Sequence, residues 1–150
     1  MAGLILQEVP LEEKAALRIF LDAYLIELSA FGEFDLSYPF YDQYWYEDNR
    51  WPYWIISDDQ KIGFIFVDQT SRFGEPLDYF LAEFYILPEY RGNGYGQEAF
   101  KKIIALYPGQ WELAFFIGHA QAEKFWLKVV QDMPYEQKEH QKVNILRFKA

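Results

Sequence analysis

Glu83-Phe84-Tyr85-Ile86-Leu87-Pro88-Glu89-Tyr90-Arg91-Gly92-Asn93-Gly94-Tyr95-Gly96-Gln97-Glu98-Ala99 reads as an apolar strand, a proline-started turn with three alternating glycines and one arginine, and the opening of a helix. Glycines let the backbone take positive φ and come close to a ligand. The first N–H groups of a helix have no partner within it, and the helix dipole puts its positive end in the same place. Such a strand, loop and helix makes a site for anions, typically phosphate. Arg91 would add a fixed fork of donors there. The bland alternative is a glycine-rich turn before a helix, with no ligand.

Three kinds of phosphate loop compete for the pattern. A P-loop needs Gly-x-x-x-x-Gly-Lys followed by Ser or Thr, and no Lys-Ser or Lys-Thr pair follows a glycine here. A dinucleotide fingerprint needs Gly-x-Gly-x-x-Gly; Gly92 and Gly94 fit, but the third position falls on Gln97. What remains is Arg-x-x-Gly-x-Gly, carried by Arg91, Gly94 and Gly96. That pattern resembles the coenzyme A pyrophosphate loop of the GNAT N-acetyltransferase superfamily, in which Val-x-Pro-x-Tyr-Arg-Gly-x-Gly-x-Gly is common. Here it stands as Ile86-Leu87-Pro88-Glu89-Tyr90-Arg91-Gly92-Asn93-Gly94-Tyr95-Gly96.

Composition narrows the choice from the other side. At 150 residues the chain is read as one domain, residues 1–150, long enough to bury roughly two thirds of its unfolded surface. Half of it is hydrophobic and 21% is aromatic, which argues against disorder. No run approaches the ~20 apolar residues of a membrane span, and no basic-then-apolar leader opens the sequence, so a cytoplasmic protein is expected. Cysteine is absent, which excludes disulfides, thiolate metal sites and an acyl-cysteine intermediate. With only His119 and His140, a histidine-rich metal site is not expected. A formal charge of −9 argues against nucleic acid and suits a small cationic substrate such as an amine, although solubility explains it equally.

Taken in order, Leu4 to Val9 reads as a strand and Glu12 to Ser29 as a helix, with Leu17, Phe20, Leu21, Tyr24, Leu25 and Leu28 at helical spacing. Phe34 to Trp54 is dense in aromatics interleaved with acids and prolines; a short helix over Tyr38 to Tyr46 would put Tyr41 and Trp45 on one face. These rings could line an amine-binding cleft, cap one end of the core, or form a dimer contact. Trp54 to Ser57 and Ile62 to Gln69 read as a hairpin around Asp58-Asp59-Gln60-Lys61, and Leu77 to Ile86 as a third, antiparallel strand. A helix over Gly94 to Tyr107, a strand over Trp111 to Ile117, a helix over Ala120 to Val130 and a hairpin of Tyr135 to Lys138 with Val143 to Phe148 complete the order. Successive antiparallel strands exclude a doubly wound parallel sheet.

The order is also that of the GNAT superfamily, so the resemblance spans nearly the whole chain, with its specific part at Glu83 to Val130. It implies an α/β (α+β) acyl-CoA acyltransferase fold: a mixed, mostly antiparallel central sheet splayed at the cofactor strand, with helices on both faces. It implies acetyl-CoA as cofactor, Ile86 and Leu87 offering main-chain groups to its pantetheine, and the amides of Arg91, Gly92, Asn93, Gly94, Tyr95, Gly96 and Gln97 holding its pyrophosphate. The fourth-helix pattern Asn-x-x-Ala-x-x-Phe-Tyr stands here as His119-Ala120-Gln121-Ala122-Glu123-Lys124-Phe125-Trp126. His119 would then take the asparagine's place against pantetheine, beside Phe125, and Trp126 replaces the tyrosine that often protonates the departing thiolate. An indole N–H is no usable acid, so either solvent, His119, or Tyr41 or Tyr44 of the aromatic segment supplies the proton, or catalysis does without one. The Phe-Trp variant resembles a bacterial subgroup of the superfamily.

For the base the candidate is Glu83, the one charge in the apolar run Tyr79 to Leu87; burial would raise its pKa toward neutrality. Its bland reading is a carboxylate paired with an arginine or facing solvent. The function implied is direct N-acetylation of a small primary amine. The alternative is a non-catalytic acyl-CoA-binding sensor or regulatory module. Surplus aromatics allow a homodimer.

Overall fold

In the computed structural model, which describes residues 3–150, an apolar strand in the middle of the sequence organises the sheet. That strand, β3 (Gln60–Asp68), is buried along nearly its whole length. From Phe64 on, alternate side chains serve different cores: Ile65 and Val67 belong to one apolar cluster, Phe64 and Phe66 to the other, and Ile62, unpaired at a bulge opposite Ile55 and Ile56, joins the first. A strand covered on both faces needs no polar side, which is why Ile62 to Val67 is continuously apolar.

Before β3 run β1 (Ile5–Glu8), a 3-10 turn (Leu11–Glu13), α1 (Lys14–Leu28), the short α2 (Gln43–Tyr46) and β2 (Arg50–Ser57). After it come β4 (Tyr79–Ile86), α3 (Tyr95–Leu106), β5 (Gln110–Phe116), α4 (Ala120–Val130), β6 (Tyr135–His140) and β7 (Val143–Lys149). The sheet order is β1-β2-β3-β4-β5-β7-β6, with every neighbour pair antiparallel except β4 and β5. Leu17, Leu21 and Leu25 of α1 and Tyr44 of α2 pack on one face; Ala99, Phe100 and Ile103 of α3 and Trp126 and Val130 of α4 pack on the other. The expected mixed sheet with helices on both faces is therefore observed.

Several boundaries differ from expectation: α2 covers Gln43–Tyr46 and not Tyr38 to Tyr46, β4 starts at Tyr79 and not Leu77, and β6 runs on to His140. β2 begins at Arg50 rather than Trp54 and carries Pro52 opposite Phe66. The Pro52 carbonyl accepts from the Val9 amide at 2.9 Å, so its proton-less nitrogen faces the Val9 carbonyl just past the end of β1, and that carbonyl accepts from Trp45 Nε1 at 2.9 Å in place of the return bond. The β2–β3 turn is tighter than expected, with Asp58 and Asp59 alone at its tip at φ 49° and 64°, the twist that two-residue hairpins require.

β4 and β5 share only two pairs, Tyr79 with Trp111 and Phe80 with Glu112. Beyond Phe80 they diverge. A bulge in β4 at the same point leaves Ala82 without an opposite residue, since Phe66 pairs with Glu83 and Val67 with Leu81. A bulge kinks its strand and increases local twist, so β4 bends away just where its side toward β5 opens. This is the splay expected at the cofactor strand.

Candidate active site

A groove of about 990 Å³ occupies the wedge between β4 and β5. It reaches from the glycine loop at one end to Glu83, Tyr38 and Asp35 on the α1 side at the other, a size in the usual range for small-ligand sites.

The loop end is built as a cradle. Gly92 and Gly94 take φ of 82° and 81°, a conformation that costs other residues roughly 1–2 kcal/mol, and open space lies where their side chains would be. The N–H groups of Gly92, Asn93, Gly94, Tyr95, Gly96 and Gln97 have no acceptor among the described residues, and no side chain caps α3. Six successive free donors at a helix N-terminus fit a diphosphate. The Asn93 side chain turns back toward the carbonyls of Tyr90 and Arg91, at 3.4 Å from each. Gly96 serves packing: a Cβ there would stand 2.9 Å from Cε1 of Phe125.

Three expectations at this end need correction. The Arg91 fork does not point at the cradle; its Nη1 and Nη2 donate to Oε1 and Oε2 of Glu27 at 2.7 and 3.0 Å, and its Nε to the Ile86 carbonyl at 2.8 Å. Its amide is also used, donating to the Pro88 carbonyl. Leu87 has no main-chain group to spare on its N–H, which donates to the Ile62 carbonyl of β3 at 2.8 Å. Because Leu87 faces β3, strand alternation turns the main-chain groups of Phe84 and Ile86 the other way, into the wedge, but with the Ile86 carbonyl taken by Arg91 Nε, Ile86 has its amide to offer there.

At the far end stands Glu83. Its carboxylate receives two phenols, Tyr24 Oη on Oε1 at 2.7 Å and Tyr38 Oη on Oε2 at 2.6 Å. Burial pushes its pKa up, against the pull of the two phenols and of Arg72, with Asp68 adding to the rise. The net direction is upward, as expected for a buried base. Both phenols are pushed far up in turn, by burial and by the Glu83 charge, and stay protonated donors.

Tyr41, offered from the sequence as a proton source, lies elsewhere. Its ring is buried against Trp45 and Phe66, its hydroxyl donates to the Lys14 carbonyl, and it does not line the groove. Tyr44 is likewise buried outside the groove. The expected Tyr41–Trp45 pairing exists, but α1 claims it. Tyr24 and Tyr38 reach the groove instead, and no local pattern marks either. By helical spacing Tyr24 is one more apolar position of α1, and Tyr38 is one ring among many.

His119 is the N-cap of α4: its Nδ1 accepts from the Ala122 amide at 3.4 Å, and its ring stacks on Phe31 at 3.8 Å. An accepting Nδ1 leaves the proton on Nε2. Burial holds its pKa below the ordinary 6.5, with Glu27 and Arg91 pulling in opposite directions. A neutral imidazole can donate one hydrogen bond but is a poor acid at neutral pH, so the proton-source role loses support. Phe125 and Trp126 line the groove; the Trp126 ring packs with Phe84, Phe100 and Phe125.

The groove is divided in charge. Lys124 and Lys128 of α4 line it, Asp35 and Glu83 line it together with Tyr24 and Tyr38, and Glu27, also in its wall, is occupied by Arg91. One end suits an anion and the other a cation.

A model of the acetyltransferase (GNAT) family matches residues 20–130. An acetyltransferase from Thermus thermophilus superposes with a TM-score of 0.76 at 16% identity over 100% of both chains. The PaiA N-acetyltransferase of Thermoplasma acidophilum, solved in complex with coenzyme A, gives 0.66 at 15% identity over 99% of each. Spermidine N-acetyltransferase of Vibrio cholerae, in complex with coenzyme A and spermine, gives 0.67 at 11% identity over 98% of this chain and 94% of that one. At such identities the likeness is one of fold. No curated protein matches the sequence.

Proposed function

The chain belongs to the acetyltransferase (GNAT) family, and on that premise we propose that it is a cytoplasmic acetyl-CoA-dependent N-acetyltransferase that passes the acetyl group directly to a primary amine of a small molecule. The family uses acetyl-CoA, and the residues present fit it. The observation that carries the reading is the continuity of one groove from the unpaired amides of Gly92 to Gln97 to the partly buried carboxylate of Glu83.

Acetyl-CoA, when bound, supplies an acetyl group on a thioester. The free amides from Gly92 to Gln97 would hold its pyrophosphate at the α3 N-terminus, and Lys124 and Lys128 add positive charge to the groove wall. The main-chain groups of Phe84 and Ile86 that face the wedge lie where a partner strand would pair. Glu83 takes a proton from the acceptor ammonium, which restores the lone pair on nitrogen. An acidic, aromatic-walled end of Phe34, Asp35, Tyr38 and Glu83 favours a cation over an anion.

Thiol release from acetyl-CoA across a panel of primary amines tests the proposal. At least one amine should raise release above the rate with water alone, and Glu83→Gln should cut kcat by about 100-fold or more while the Kd for coenzyme A changes less than about twofold. A second reading, a non-catalytic acyl-CoA-binding module, is favoured by one observation: with Trp126 in the fourth helix and Tyr41 outside the groove, neither of those positions offers the thiolate a phenol. Tight binding without amine-dependent release would select it.

A further inference from the structure

We propose that Tyr24 and Tyr38 are positioning residues for Glu83, each holding one carboxylate oxygen so that the base stands ionised and aimed along the groove at the acceptor nitrogen. The proposal rests on the acetyltransferase reading above.

Both contacts are short, at 2.7 and 2.6 Å, in the range of hydrogen bonds to an ionised acceptor. They come from different elements, Tyr24 from α1 and Tyr38 from the segment between α1 and α2, so together they fix the carboxyl plane as neither could alone. Each oxygen keeps capacity for one further donor, which the ammonium supplies.

The backbone of Tyr38 gives independent support. Its φ is 51°, a region that a bulky aromatic residue seldom enters. Such a conformation persists where its surroundings over-determine it, and it concentrates at functional sites. The surroundings here are specific. Arg18 of α1 donates to the Ser37 and Leu36 carbonyls at 3.1 and 2.9 Å. Asp35 Oδ1 accepts from both the amide and the hydroxyl of Ser37, and the Tyr38 amide donates to the Asp35 carbonyl. The Tyr38 ring leans edge-on against Phe66, the residue opposite Glu83 in the sheet. This clamp serves to deliver one hydroxyl to one carboxylate.

The other charges near Glu83 are engaged elsewhere. Arg72, after β3, forks onto Asp68 of β3 at 3.0 and 2.6 Å, with Arg50 of β2 a further 3.5 Å contact. Tyr44 of α2 is protonated and buried. On α1 Glu27 holds Arg91. Among the described residues, the two phenols are the only side chains that donate to Glu83.

The test reads the carboxyl directly, in ligand-free protein. Carbon-13 NMR of protein labelled at the glutamate δ-carbon, with the Glu83 resonance assigned by its loss in Glu83→Gln, follows its titration in wild type, Tyr24→Phe and Tyr38→Phe. Each substitution removes a hydroxyl and keeps the ring, and each should raise the midpoint by about one unit. Tyr41→Phe, whose hydroxyl serves the Lys14 carbonyl, should leave it unmoved. The acidic limb of kcat/KM should rise with the NMR midpoint, whereas a merely structural phenol would lower activity without moving it. If Tyr38→Phe fails to fold, Tyr24→Phe alone decides. Midpoints that stay or fall in an active protein overturn this proposal alone. Midpoints that rise in a protein that releases no thiol overturn the acetyltransferase reading, and with it the positioning role.

Discussion

Arg91 and Glu27 face each other across 64 positions of sequence as a bidentate pair, at 2.7 and 3.0 Å, beside the amides that Arg91 would otherwise join. Both side chains are more than one-third exposed, so the pair contributes little to stability. Its importance lies in position: a carboxylate stands at the mouth of an anion site and occupies the nearest arginine.

Glu27→Gln should therefore tighten binding of coenzyme A. Removing the charge frees the guanidinium and relieves repulsion of the pyrophosphate, worth about three- to fivefold in Kd for a screened, exposed pair. Calorimetric titration at two salt concentrations measures it, and the gain should shrink as salt rises. Weaker binding would show instead that Glu27 holds the loop in its working shape.

Glu83 sets the acid side of the pH profile. Because its pKa is raised by burial and the base works only when ionised, kcat/KM should climb with pH through a limb above the ordinary carboxylate range. Stability runs the other way. A carboxyl raised in the fold favours folding while protonated and loses that contribution as pH rises from its unfolded value through its folded one. Glu83→Gln should thus abolish the limb and leave Tm less dependent on pH across that window.

Gly63→Ala should destabilise the sheet. A Cβ at Gly63 would overlap the Tyr85 carbonyl oxygen, and backbone cannot step aside as a side chain can. A loss of about 2–3 kcal/mol in urea denaturation is expected, the upper part of the range for overpacking. Gly96→Ala makes a useful contrast. Its obstacle is the edge of the Phe125 ring, which can swing, so stability should change little while coenzyme A binding weakens as the ring moves in the groove.

His119→Ala should cost about 1 kcal/mol through loss of the α4 cap, and His119→Asn should restore most of it. The folded pKa of His119 is lowered. Its contribution is therefore present above about pH 6.5 and lost as pH falls toward the folded value, because the unfolded chain takes up the proton first. Chemical denaturation at pH 7.5 and 5.5 should show that slope in wild type and not in His119→Asn.

How much of this is readable from sequence follows from the range of each signal. The glycine cradle and the strand before it are legible because their cues are local: alternating glycines, a proline, an apolar run with one carboxylate. The splayed sheet follows from element order and family resemblance. The direction of Arg91 is not legible, since its partner is distant in sequence and the motif names only the arginine. Tyr24 and Tyr38 are invisible for a different reason. Helical spacing gives Tyr24 to the core, which does take its ring, while only the hydroxyl does the work. For Tyr38 the following Pro39 argues for an extended residue, and the observed φ of 51° depends on Arg18, a full helix away. Spacing puts Tyr41 rightly beside Trp45, although Tyr41 lies in the turn ahead of α2, and wrongly near the groove, because spacing says nothing of what the segment leans on.

The two rungs between β4 and β5 join two unequal leaves of the sheet, with a short clasp where the Asp78 amide meets the Gln110 carbonyl and the Asp78 carboxylate meets the Gln110 amide. Past that seam the leaves have no backbone stitching of their own. A pantetheine arm lying along the Phe84 and Ile86 main chain would act as a substitute strand, sewing together what the polypeptide leaves unsewn. Cofactor would then be part of the sheet's mechanical integrity as well as its chemistry, and the amides flanking the wedge should be the slowest to exchange with solvent only after it has bound.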